Sequence, residues 1–208
     1  MKRNNTYFFS GLFFFGLLLL NNGCKGSPSV NNPSVNNEVK PAQVKQQQKN
    51  TESQTVNNDE KEFRQFLKEF KQGVKNGDKQ KLITFLNFPL QTQPQWSNED
   101  LKATTINPAD GLITKQEYPQ YAGDIFTKDA IRLIPASTED NLVQIDNDTN
   151  ESYYKTLKAV TDKGSTLYEL QQQYVQANNK ETSYGFVFGK VKGHYKVISY
   201  FCPWPVKS

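Results

Sequence analysis

The chain has 208 residues, 36% of them hydrophobic, and a formal net charge of +4. That length accommodates a single domain with its own core beside a leader, and two cysteines in all exclude a disulfide-dense secreted scaffold. The excess charge sits outside the candidate domain: Lys2 and Arg3 open the chain, Lys25, Lys40, Lys45 and Lys49 outweigh Glu38 and Glu52, and residues 59–208 hold nineteen basic and nineteen acidic side chains. A neutral domain has no net field to steer nucleic acid, so no such partner is expected.

Lys2 and Arg3 precede Tyr7 to Leu20, a stretch without charge that falls short of the ~18 apolar residues of a spanning helix. Gly23 and Cys24 follow. This order resembles bacterial lipoprotein precursors, in which the thiol after a small residue receives a diacylglycerol before cleavage ahead of it. The resemblance implies a signal peptide over residues 1–23 and acylation of Cys24 with palmitate-type chains. It also implies a lipid anchor in the bacterial cell envelope, at the outer membrane. Two acyl chains are what stable anchoring requires, each buried CH₂ contributing ~0.8 kcal/mol.

Lys25 to Asn58 lacks any aromatic residue and is rich in Asn, Gln, Ser, Pro and Lys. Such a composition buries too little apolar surface to offset the entropy of ordering, so residues 24–58 are predicted to be the lipidated Cys and a disordered tether with a reach of roughly 30 Å. The direct repeat Pro28-Ser29-Val30-Asn31-Asn32 and Pro33-Ser34-Val35-Asn36-Asn37 fits unconstrained sequence. The domain should occupy residues 59–208.

Asp59 to Lys75 places Phe63, Phe66, Leu67, Phe70 and Val74 on one helical stripe. Asn76-Gly77 ends that helix, and Asp78 caps a second through Leu82, Ile83 and Leu86, after which Phe88-Pro89-Leu90 turns the chain. Residues 91–112 read as mostly loop. Thr114-Lys115-Gln116-Glu117 is a capping box ahead of Tyr118, Tyr121, Ile125 and Phe126, and Thr127 caps a short turn to Ile134. Strands are expected at Leu142–Asp146, Ser152–Val160, Thr166–Ala177, Ser183–Val191 and His194–Cys202, the last two joined by Lys192-Gly193. Strict alternation from a Val191–His194 pair puts Tyr184, Phe186, Phe188, Tyr195, Val197, Ser199 and Phe201 on the face that meets the helices, and Ile198 and Tyr200 on the other.

The residues Phe63 to Phe70, Asn76-Gly77-Asp78, Leu86 to Leu90, Ile113 to Glu117 and the hairpin Tyr184 to Cys202 together resemble uncharacterised bacterial lipoproteins of the nuclear transport factor 2-like, or cystatin-like, cone. That resemblance implies an α+β fold with N-terminal helices packed against a curved antiparallel sheet and a pocket between the two layers. Its relatives bind, dimerise, or act on small molecules, so the fold does not choose among them.

The candidate pocket residues are Tyr121, Asp124, Tyr184, Phe186, Phe188 and Ser199. They point to binding of a small apolar ligand or an envelope protein, with no catalytic constellation, cofactor or metal expected. The alternative is an isomerase or hydrolase using Asp124 with a pocket tyrosine. A third is a structural subunit that forms a homodimer through the outer sheet face. His194, the sole histidine, reads as an exposed turn residue, Lys190 as a surface charge and Cys202 as a small buried hydrophobe. Asp140, Asp146, Asp148 and Glu151 lack the spacing of a calcium loop.

Overall fold

The structure is a computed structural model that describes residues 44–207, with side chains from Asn58 onward. The expected signal segment, Cys24 and the part of the expected tether ahead of Val44 lie outside the described residues. Among the described residues no helix is long and apolar enough to cross a membrane.

Helix α1 spans Val44–Asn76, so helical backbone begins ahead of the expected start at Asp59. Its stripe works as anticipated: Phe63, Leu67, Phe70 and Val74 are buried and Phe66 packs against the same core. Gly77, at φ +62, ends the helix in the left-handed region that glycine tolerates. Asp78 then accepts a hydrogen bond from Lys81 N–H and caps α2, Lys79–Phe85.

A six-stranded sheet in the order β2-β1-β6-β5-β4-β3 receives these helices. Strand β1, Leu86–Gln91, replaces the expected turn and runs parallel to β6, so the sheet is mixed. Pro89, which follows a cis peptide, falls in the irregular stretch between the Leu86–Val197 and Gln91–Ser199 pairs, where its missing N–H breaks no ladder. The predicted loop beyond it contains α3, Asn98–Lys102, started by a Ser97/Asp100 capping box, and β2, Leu112–Ile113, which pairs with β1. The Thr114/Glu117 box forms ahead of α4, Tyr118–Ile125, and Thr127 caps α5, Lys128–Leu133. A 3₁₀ turn, Ile134–Ala136, follows α5.

Strand β3 is Leu142–Ile145, β4 Leu167–Val175, β5 Glu181–Val191 and β6 His194–Phe201. Between β3 and β4 the expected strand is instead helix α6, Ser152–Lys158. Tyr and Thr in this segment favour strands, but Tyr153 and Leu157 stand four apart, and their burial on one side of a helix decides the matter. Asn98 helps start α6 by accepting from Ser152 N–H.

Val191 pairs with His194 as predicted, and Lys192 and Gly193 both carry positive φ. Farther along, Phe188 faces Val197 while Val187 faces Ser199, so Ile198 is an extra residue in β6. This bulge reverses the expected alternation. Tyr200 joins Tyr184, Phe186 and Phe188 under the helices, and Ser199 and Phe201 turn to the other face. Gly185 makes room there, since any Cβ at that position would collide with the Phe201 ring.

Both faces are therefore covered. On the front, α1, α2, α4 and α5 close over rings packed edge to face, with Phe63 stacked on Tyr168 at 3.7 Å between centroids. On the back, α6 and the segment around Trp96 cover Ile145, Leu167, Val187, Ile198 and Phe201. Lys190, expected at the surface, is half-buried and bridges Asp59 and Glu62 at 2.6 and 2.7 Å, tying α1 to the hairpin. Burial pushes the Asp59 carboxyl up, but the hydrogen bonds from Lys190 and Tyr195 outweigh it and hold the group below the usual range.

Candidate functional site

The face expected to line a pocket is a filled core: Phe186 and Phe188 are fully buried among the rings of Phe63, Phe66, Phe70 and Phe126. Ser199 is also removed from it, because the bulge sends its hydroxyl to the back, where it meets Tyr153 Oη at 2.8 Å and donates to the Gln91 carbonyl at 3.0 Å. Tyr121 is half-buried against the front core.

Asp124 and Tyr184 do come together, at one end of the sheet. There the tip of the β4–β5 hairpin, the end of β6, the end of α4 and the segment Pro203–Val206 enclose a cleft of about 280 Å³. Its walls include Tyr174, Thr182, Tyr184, Tyr200 and Cys202. The ladder sets this assembly: Tyr174 pairs with Thr182, Gln172 with Tyr184 and Phe186 with Tyr200, so alternate positions carry the three phenols to one side. Tyr174 and Tyr184 lie edge to face at 5.9 Å, and Tyr184 and Tyr200 are roughly parallel at 6.4 Å.

The polar groups of the cleft differ in how they are satisfied. Tyr200 Oη donates to the Asp124 carbonyl at 3.2 Å, and the Cys202 thiol donates to the Trp204 carbonyl at 3.1 Å. The Tyr184 residue is 2% exposed and its hydroxyl has no partner among the described residues. Burial pushes the pKa of Tyr184 and Tyr200 well above the ordinary phenol range and pushes the Cys202 thiol up, so all three stay protonated. Asp124 is exposed at the rim. The Lys207 ammonium fastens the far end of the wall to the Leu112 carbonyl at 2.9 Å and to Glu117 at 2.7 Å. That hydrogen bond, joined by those from Thr114, holds the Glu117 carboxyl down to about 2.

The cleft has aromatic walls, and one of its lining residues, Tyr184, carries a buried hydroxyl without a hydrogen-bond partner among the described residues. Sequence reasoning found Tyr184 and Asp124 but missed Tyr174 and Tyr200. Tyr174 was legible from its place on the strand facing Tyr184, whereas Tyr200 depended on a bulge that no spacing announced. The contribution of Pro203–Val206 carried no signal in the chain. No protein-family model matches this chain, and a search of curated proteins finds no match.

Proposed function

We propose that this protein is a lipid-anchored lipoprotein of the bacterial cell envelope whose α+β domain, a nuclear transport factor 2-like cone, holds a small, mostly apolar ligand in the Tyr184 cleft. The observation that carries the binding reading is the orphaned Tyr184 hydroxyl: a buried donor left unmet costs about 1–3 kcal/mol, a cost that a ligand acceptor such as a carbonyl or ether oxygen removes. Helices α1, α2, α4 and α5 on the front of a six-stranded sheet support the cone, and the Gly23-Cys24 sequence after an apolar run supports the anchor. An acid–base enzyme is the weaker reading, since Asp124 is exposed and nothing buries it.

A panel of aryl ketones tests the cleft by nuclear magnetic resonance of the tyrosine rings. Tyr174, Tyr184 and Tyr200 should shift together on saturation. Tyr184→Phe should weaken binding roughly tenfold while the unliganded protein gains about 1–3 kcal/mol of unfolding free energy, because the substitution removes an unmet buried donor. Unmoved rings at millimolar ketone would sink the reading. For the anchor, cells fed radioactive fatty acid should label the protein, and the label should vanish in Cys24→Ala.

A second reading has its own observation. Trp204 and Val175, 70% and 57% exposed, stand beside the cleft and offer an apolar rim to an envelope protein. Loss of a captured partner in Trp204→Ala, with ketone binding intact, would favour it.

A further inference from the structure

Neutrality over residues 59–208 hides a segregation of charge. Along α1, Arg64, Lys68, Lys71 and Lys75 recur at spacings of four, three and four, which places them on one stripe. Across from that stripe stand Arg132 of α5 and the turn at Pro135 and Ala136, and the two sides enclose a groove of about 590 Å³. Five cations line it against one carboxylate, Glu139.

These cations are not equally engaged. Arg64 is held by Glu60 and Glu139, Arg132 by Asp129, and the Lys71 ammonium donates to the Ser137 carbonyl at 2.6 Å, which pins the far wall to α1. Lys68 and Lys75 have no ion pair or hydrogen bond among the described residues. They lie about 10 Å apart along the helix, two turns, with Arg132 across the groove. Two free ammonium groups at that separation, beside guanidinium groups already oriented, match an anion that carries charges at more than one point along its length. Glu139, the one carboxylate among the residues lining the groove, is on an exposed side chain, so displacing it from Arg64 is inexpensive.

We propose that the groove between α1 and α5 is a second binding site, distinct from the Tyr184 cleft, for a ligand bearing two or more phosphate groups. The phosphates can belong to a soluble molecule or to lipid headgroups at the membrane surface. Lys68 and Lys75 supply the mobile charges, and Arg132 supplies the planar fork that phosphate accepts in bidentate fashion.

The test is amine labelling of the full chain, with modification at each lysine read by mass spectrometry. In one arm the chain, in neutral detergent, is titrated with inorganic tripolyphosphate; this arm does not depend on the lipid anchor. In the other it is held on phosphatidylcholine vesicles with or without phosphatidylglycerol. Selective protection of Lys68 and Lys75 by tripolyphosphate identifies a soluble phosphate ligand. The same protection appearing only with phosphatidylglycerol identifies headgroups. In the responding arm, Arg132→Gln should weaken protection about tenfold, and high salt should abolish it. Equal labelling of these two lysines and the exposed Lys163 in both arms would overturn the proposal.

Discussion

The two faces of the sheet are covered by different means. On the front, rings interlock by shape: Phe63, Phe70, Phe186 and Phe188 are fully buried, and none carries a polar atom. On the back, a smaller apolar cluster is threaded by hydrogen bonds, from Tyr153 through Ser199 to the Gln91 carbonyl, and from Tyr154 and Gln95 to Glu169. A ring core tolerates many arrangements of similar volume, whereas a buried hydroxyl or carboxylate is satisfied in few. The back face therefore specifies how β1, β4, β6 and α6 align, while the front face supplies most of the stabilisation.

Deleting a front ring should have the largest effect. Phe70→Ala removes a side chain that meets Phe85, Phe126, Phe186 and Phe188 at once and should cost about 3–5 kcal/mol in denaturant unfolding. A loss near that of a typical surface change would break the contrast. Next comes Tyr153→Phe on the back, which keeps the packing against Trp96 and Phe201 and removes one buried hydrogen bond, at about 1 kcal/mol. Its hydrogen-exchange signature should be confined to α6 and the end of β6.

The smallest effects sharpen the comparison by their opposite signs. Glu169 is 5% exposed, and burial pushes its carboxyl above the ordinary 4.5, partly countered by hydrogen bonds from Tyr154 and Gln95. A raised folded-state value favours the neutral acid, so its contribution is complete below the unfolded value and is lost as pH rises through the folded one. Glu169→Gln should match the parent in acid and overtake it as pH climbs past about 4.5. Asp59 behaves in reverse. Its lowered value means that stability is present above the ordinary 3.8 and lost as pH falls through the folded value, so Asp59→Asn should trail the parent at neutral pH and converge with it in acid. Thermal unfolding from pH 3 to 7 separates the two, and curves of the same sign would refute the distinction.

The front face was the more legible. A stripe of Phe at helical spacing states its periodicity outright, and Lys192-Gly193 between apolar runs announces a hairpin whose first pair fixes the register. The back face depends on exceptions. Ile198 adds a residue that period-two reasoning cannot detect, so strict alternation puts Ser199, Tyr200 and Phe201 each on the side opposite to the one it occupies. Ser152 to Lys158 has strand-forming residues that helix contacts override, and Pro89 hides a strand because proline usually ends one. The candidate site was half legible for the same reason: Tyr184 follows from the hairpin, but the filling of the front layer by Phe186 and Phe188 emerges only once four helices close on it.

The surplus residue in β6 carries a genetic consequence. Excising the Ile198 codon would leave Val197, Ser199, Tyr200 and Phe201 opposite Phe188, Val187, Phe186 and Gly185 in an unbroken ladder, so Tyr200 would keep its place in the cleft and Phe201 its place over Gly185. A three-nucleotide deletion would thus straighten the strand and spare the cleft, at the expense of one apolar side chain of the back layer.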